Sequence, residues 1–174
     1  MKKLMLLTAA IMIMAGFSTR LFAQSSLNTA AAANIVSALT LVEGTNLHFG
    51  SMTIPTGGAV TVALSTSTVR TTAGTGSITL LSQSPVAKNA TYTVTGSAGF
   101  NYVIDLPDSP VTITSGSNTM TVDTFIAASN STGLASGTLT AGTDTFIVGG
   151  TLNLANGQAA GLYTGQFNIS VAYN

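Results

Sequence analysis

The sequence predicts an all-β fold, an antiparallel sandwich or a small barrel. Three observations carry that prediction. Apolar side chains alternate with polar ones along run after run, which puts one face of each strand in a core and the other in water. Gly, Pro, Ser, Asn or Asp bounds each run, giving roughly nine or ten short strands with turn signals about every 8–12 residues. Beyond the first segment, helical periodicity is absent.

That first segment stands apart from the fold. Lys2 and Lys3 precede a mostly apolar run over residues 4–17, and Leu21-Phe22-Ala23 ends in a small residue before Gln24. These are the basic, apolar and cleavage regions of a secretory signal, so residues 1–23 are expected to form a signal helix removed after Ala23. The apolar run is shorter than the about 20 residues a bilayer-spanning helix needs, so the mature chain is expected to carry no transmembrane segment. No cysteine is present, which sets aside a lipid anchor and leaves disulfides out of the stability of the exported chain.

Composition narrows the function classes. Of 174 residues 18 are glycine, one is histidine, none is tryptophan and only 6% are charged, against about 25% in an ordinary globular domain. Removal of Lys2, Lys3 and Arg20 leaves Arg70 and Lys88 facing Glu43, Asp105, Asp108, Asp123 and Asp144. Nucleic acid is therefore not an expected partner, because phosphate recognition needs clustered cations. The remaining chain can bury roughly 68–70% of its unfolded surface, enough for packing alone to hold it.

Taken in order, residues 24–34 read QSSLNTAAAAN, either a flexible arm or a weak strand able to act as a donor. Residues 35–42 place Ile35, Leu39 and Leu41 on one face, and Glu43-Gly44-Thr45-Asn46 reads as a turn. Leu47 and Phe49 then point one way and His48 the other. Val60, Val62 and Leu64 alternate with Thr61 and Ala63, and Ile78 and Leu80 follow a Gly/Thr-rich turn. Residues 90–96 read ATYTVTG, with Tyr92 and Val94 inward and Thr91, Thr93 and Thr95 outward. Tyr102, Ile104 and Leu106 share one side of the next run, which Pro107 stops. Residues 111–113, 120–125 and 137–139 add further short runs.

The terminal stretch carries the clearest alternation. Phe146, Val148, Leu152 and Leu154 form one apolar phase, broken at Gly149-Gly150, where a bulge or a close backbone approach is expected. Tyr163, Phe167, Ile169, Val171 and Tyr173 form a second. Asn156-Gly157 between them is a strong turn signal, so the reading is a long C-terminal β-hairpin. Tyr163 and Tyr173 are expected to put rings into the core and hydroxyls at its edge.

Together these residues resemble a known family. Leu47-His48-Phe49-Gly50, Tyr92-Thr93-Val94-Thr95-Gly96, the Tyr102 to Pro107 run, Met120-Thr121-Val122, Phe146-Ile147-Val148-Gly149-Gly150-Thr151-Leu152 and the closing Gly161-Leu162-Tyr163-Thr164-Gly165 to Tyr173 look like the DUF4402 family of exported bacterial proteins. The resemblance covers about residues 33–174, so residues 35–174 are taken as the domain. That family is itself similar to the spore coat U and archaic chaperone-usher pilin group. The resemblance implies an immunoglobulin-like, pilin-like antiparallel β-sandwich and a fimbria-like surface subunit, with self-association, related subunits and a periplasmic chaperone as the implied partners. It implies no catalytic residue. The cysteine pair that many such pilins carry near the N-terminus is missing here.

In pilin-like subunits a missing strand leaves a groove that an extended segment of the next subunit fills. Residues 24–34 suit that donor role poorly, since only Leu27 is large and a buried leucine is worth about 1.5–3 kcal/mol where a methyl is worth far less. Enzymatic readings find no residues to carry them. His48 is the sole histidine and faces away from Leu47 and Phe49, and neither a Gly-x-Ser-x-Gly nor a His-Glu-x-x-His motif occurs. Asp105 and Asp108 flank Pro107, too few oxygens for the six to eight ligands, roughly, of a calcium ion. No catalytic, cofactor or metal residue is therefore assigned. A soluble periplasmic or secreted ligand-binding sandwich of carbohydrate type is the alternative, but Tyr92, Tyr102, Tyr163 and Tyr173 all sit on the apolar phase rather than on display. The expected protein is a non-catalytic structural or adhesive component of the periplasm, cell surface or exterior.

Overall fold

Alternation of apolar and polar side chains becomes twelve antiparallel strands, with no helix among the residues that the computed structural model describes, 24–174. The expected signal peptide, residues 1–23, lies outside the described residues. Residues 24–34 have no regular secondary structure and are exposed, Leu27 to 89%. The unit from Ile35 to Asn174 carries every strand of the described residues.

Strand β11 (Thr143–Leu154) is the axle of the larger sheet. Every even position from Asp144 to Leu154 is buried, as expected of a strand with one face on the core. Along one flank β6 (Ala90–Thr95) pairs with its first half and β3 (Val60–Leu64) with its second. β1 (Thr40–Thr45) and β4 (Arg70–Gly74) extend these outward. Along the other flank runs β9 (Asn118–Ser129), itself paired with β8 (Val111–Ser115). The β8–β9 turn is Gly116-Ser117, and Gly116 at φ +58° supplies the left-handed first position such a two-residue hairpin needs.

A second sheet, ordered β10-β7-β12, covers the first. It comprises β7 (Asn101–Asp105), β10 (Ser136–Thr138) and β12 (Ser170–Tyr173). β2 (His48–Phe49) and β5 (Ala87–Lys88) form a separate pair. The result is an all-β, curled, sandwich-like arrangement with two apolar clusters. Phe49, Val60, Val62, Leu64, Val122, Leu152 and Leu154 make one. Ala90, Val94, Tyr102, Ile104, Leu139, Phe146 and Val148 make the other, between the two sheets. Tyr92 stacks on Phe146 at 5.1 Å, and Phe167, Ile169, Val171 and Tyr173 pack against the same cluster, so both phases of the terminal stretch meet there.

Several sequence expectations need correction. The long C-terminal hairpin does not form: β11 pairs with β3, β6 and β9, whereas β12 pairs with β7 in the other sheet. The Asn156-Gly157 turn exists, but the Gly157 amide donates to the Pro55 carbonyl at 3.0 Å and the chain departs for the second sheet. At Gly149-Gly150 the close backbone approach is met, since a Cβ on Gly149 would run into the Leu64 carbonyl oxygen, while the extra residue of the bulge lies in the facing strand. Gly149 opposes Ile126 and Thr151 opposes Asp123, so Thr124 and Phe125 share the place of one residue, with Thr124 at φ +46°. Ile35 is 94% exposed rather than inward, and β1 begins only at Thr40, running through the supposed turn with a register shift between Glu43 and Thr45. Ile78 and Leu80 pack partly on the core without forming a strand.

Candidate functional site

The last segment of the chain, the one with the clearest alternation, crosses from one sheet to the other. Thr164 exchanges two 2.9 Å backbone hydrogen bonds with Thr114 on the outer edge of β8. Gly161 and Gly165 allow that approach. A Cβ on Gly165 would stand 2.6 Å from Ile113 Cγ2 and 2.9 Å from the Thr112 carbonyl oxygen. By Ser170 the chain has joined β7. Between these anchors, among the described residues, no backbone group of residues 165–169 makes a backbone hydrogen bond outside the strands.

The register shows which groups β12 leaves open. The Asn174 amide bonds to the Asn101 carbonyl at 3.1 Å, so Ser170, Ala172 and Asn174 turn their amides and carbonyls toward β7. Ile169, Val171 and Tyr173 must turn theirs the other way. β12 ends its sheet, so that row of donors and acceptors meets no strand among the described residues. Beneath the row, Phe167, Ile169, Val171 and Tyr173 are half-buried against the inter-sheet core, and Phe167 packs on Phe125 at 4.9 Å. An open main-chain edge over partly covered apolar side chains is what an added β-strand recognises.

Both tyrosine hydroxyls find partners. Tyr163 Oη donates to the Ala159 carbonyl at 2.8 Å and accepts from Gln158 Nε2 at 2.9 Å. Tyr173 Oη donates to the Ser37 carbonyl at 2.8 Å and accepts the Ser97 amide at 2.7 Å, while the Ser37 amide donates to Ser97 Oγ at 2.8 Å. These bonds tie the approach to β1 to the far end of the open edge.

Behind the edge lies a buried polar pin that the sequence reading did not find. Tyr102 Oη donates to Asp144 Oδ2 at 3.0 Å, Ser131 Oγ donates to the same oxygen, and the Thr145 amide donates to Asp144 Oδ1 at 2.8 Å. Tyr102 is fully buried. Burial, then the hydrogen bond to Asp144 and the Asp144 charge, raise its pKa well above the ordinary 10.0. The unfolded chain therefore loses this proton first as pH rises. The stabilisation is whole below about pH 10 and declines as pH climbs beyond it. Urea unfolding across that range is expected to show the decline, with a smaller slope in Tyr102→Phe. The residual slope belongs to Tyr92, raised by burial and then by Glu43.

The remaining singled-out residues do not gather. His48 is half-buried, and its Nδ1 accepts the Gly50 amide at 2.8 Å. Asp105 Oδ2 accepts a long 3.4 Å bond from Ser170 Oγ, and Asp108 is exposed. Among the described residues no three His, Cys, Asp or Glu side chains are placed to hold a metal ion. Two hollows of about 270 Å³ and 260 Å³, one beside Thr72 and Ile78 and one beside Ser129 and Thr145, fall below the range of ligand clefts, about 300–1,000 Å³.

A family model described as a domain of unknown function, DUF4402, matches residues 39–173. Neither the curated proteins nor the solved structures contain a match.

Proposed function

The chain belongs to the DUF4402 family, and from that premise we propose that it is a non-catalytic exported surface protein, a fimbria-like structural or adhesive subunit that assembles through β-strand contacts. The observation that supports this reading is the open edge of β12, with Ile169, Val171 and Tyr173 turning unpaired main-chain groups outward above half-buried apolar side chains. Sparse charge fits it too, because soluble monomers guard such edges with charge and proline. The carbohydrate-module reading has less support, since Tyr102 is buried outright and Tyr92, Tyr163 and Tyr173 are half-buried with their rings on the inward phase.

Proline scanning of β12 tests the proposal. Val171→Pro deletes an outward amide and no ladder bond, a placement that edge strands tolerate. It is expected to keep the unfolding midpoint near that of the parent while abolishing concentration-dependent oligomers in size exclusion and filaments in negative stain. Ala172→Pro removes a bond to β7 and is expected to lower the midpoint. Assembly by Val171→Pro at parental concentrations would refute the role of the edge. Deleting residues 24–34 separately asks whether that arm is the added strand.

A further inference from the structure

Asn156-Gly157 reads in the sequence as a hairpin turn, yet its setting in the fold serves no hairpin. Both residues are exposed just beyond the end of β11. The Gly157 amide donates to the Pro55 carbonyl at 3.0 Å, and the Gln158 amide donates to the Ala155 carbonyl at 3.2 Å. Gly157 has φ +67°, and no atom stands within 4 Å of the place a Cβ would take. One hydrogen bond is what holds the nitrogen that follows Asn156, and its side-chain side is uncrowded.

The carboxamide carbon of an asparagine lies within reach of the next backbone nitrogen, and a following glycine puts no Cβ in the way. Asn156 is the one asparagine of this chain that precedes glycine. We propose that Asn156 is a site of spontaneous covalent modification, deamidation through a cyclic imide. Solvent base removes the Gly157 amide proton, the nitrogen bonds to Asn156 Cγ, the Cγ–Nδ2 bond breaks and ammonia leaves. Water then adds to either imide carbonyl and opens the ring, leaving aspartate or isoaspartate at position 156. The sum consumes one water, releases one ammonia and involves no change of oxidation state.

The hydrogen bond to Pro55 gates the reaction, because the amide must leave that carbonyl before its proton can be taken. Its rate therefore follows local opening of the turn rather than global unfolding. The isoaspartate product lengthens the main chain by one atom, so the Gly157 amide no longer meets the Pro55 carbonyl. Pro55 is fully buried, and the loosened loop is the one that its ring anchors.

Incubating the purified protein at neutral and at alkaline pH, then cutting at aromatic residues, isolates the peptide between Phe146 and Tyr163 for mass spectrometry. The expected result is the mass gain of an amide-to-acid exchange at position 156, split into two isomeric peaks, growing faster at higher pH and matched by released ammonia. Asn156→Gln is expected to abolish both signals, and Asn130, which precedes serine, is expected to stay unchanged over the same time. Urea is expected to speed the conversion by removing the gate. An intact Asn156 in the folded protein, while the same residue converts in urea, would overturn the proposal. So would ammonia release unaffected by Asn156→Gln.

Discussion

Replacing Arg70 by alanine is expected to cost the domain about 3–5 kcal/mol, from three charge-assisted hydrogen bonds worth roughly 1.5–3 kcal/mol each and not fully additive. The half-buried guanidinium donates from Nη1 to the Phe49 and Ser51 carbonyls, each at 3.0 Å, and from Nη2 to the Leu81 carbonyl at 2.8 Å. It thereby fastens the loop after β2 and the segment after Leu80 to the edge strand β4. Gly50 makes room for it, since a Cβ there would stand 2.8 Å from Nη1 and 2.9 Å from the Ala87 amide nitrogen. Alanine would take this donor from the Phe49 and Leu81 carbonyls beside the Phe49 cluster and leave the Ser51 carbonyl with the Leu81 amide alone, at 2.9 Å. Lysine would restore the charge but not the fork, because a single ammonium cannot span three acceptors on two chain segments. Urea unfolding should therefore rank the parent above Arg70→Lys, and Arg70→Lys above Arg70→Ala. The acceptors are dipoles rather than carboxylates, so the gap should change little with salt. An alanine variant within about 0.5 kcal/mol of the parent, the range of a neutral surface change, would show that the clamp is idle.

Nothing local in the sequence announces that clamp. Arg70 stands among threonines, and its acceptors lie 11 to 21 positions away. By contrast, the faces of β3, β6 and β7 were legible, because period two reports directly which side chains meet the core: Val60, Val62 and Leu64 are buried, as are Val94, Tyr102 and Ile104. Period two does not report which strand supplies the hydrogen bonds. The terminal stretch was therefore read with its inward residues in place and its partner wrong. β4 escaped notice for the opposite reason: as an edge strand it leaves Thr71, Thr72, Ala73 and Gly74 exposed and needs no apolar phase. The open edge of β12 follows the same logic. Its alternation was visible in Phe167, Ile169 and Val171, but its lack of a second neighbour is a property of the sheet order alone.

Gly149 and Gly150 turn that distinction into a measurement, since they are adjacent, both buried and alike in sequence, yet should respond oppositely to one methyl group. A Cβ on Gly149 would run into the Leu64 carbonyl oxygen, which belongs to the β3 backbone and cannot swing aside. A Cβ on Gly150 would touch the Asp123 carbonyl oxygen, the Phe125 ring and Val122 Cγ1, each at 3.4 Å, where side chains can yield by the little required. Neither glycine has a left-handed φ, so no backbone strain confuses the comparison. Gly149→Ala is expected to destabilise the domain by about 1–3 kcal/mol, the usual cost of overpacking. Gly150→Ala is expected to be neutral or to gain up to about 0.4–1 kcal/mol from the stiffer unfolded chain. Hydrogen exchange should locate the Gly149→Ala loss in the β3–β11 ladder, where Gly150 faces Leu64, and leave the β7–β12 ladder protected. Equal effects from the two substitutions would mean that β3 does not approach β11 as closely as this packing requires, and the axle of the larger sheet would have to be redrawn.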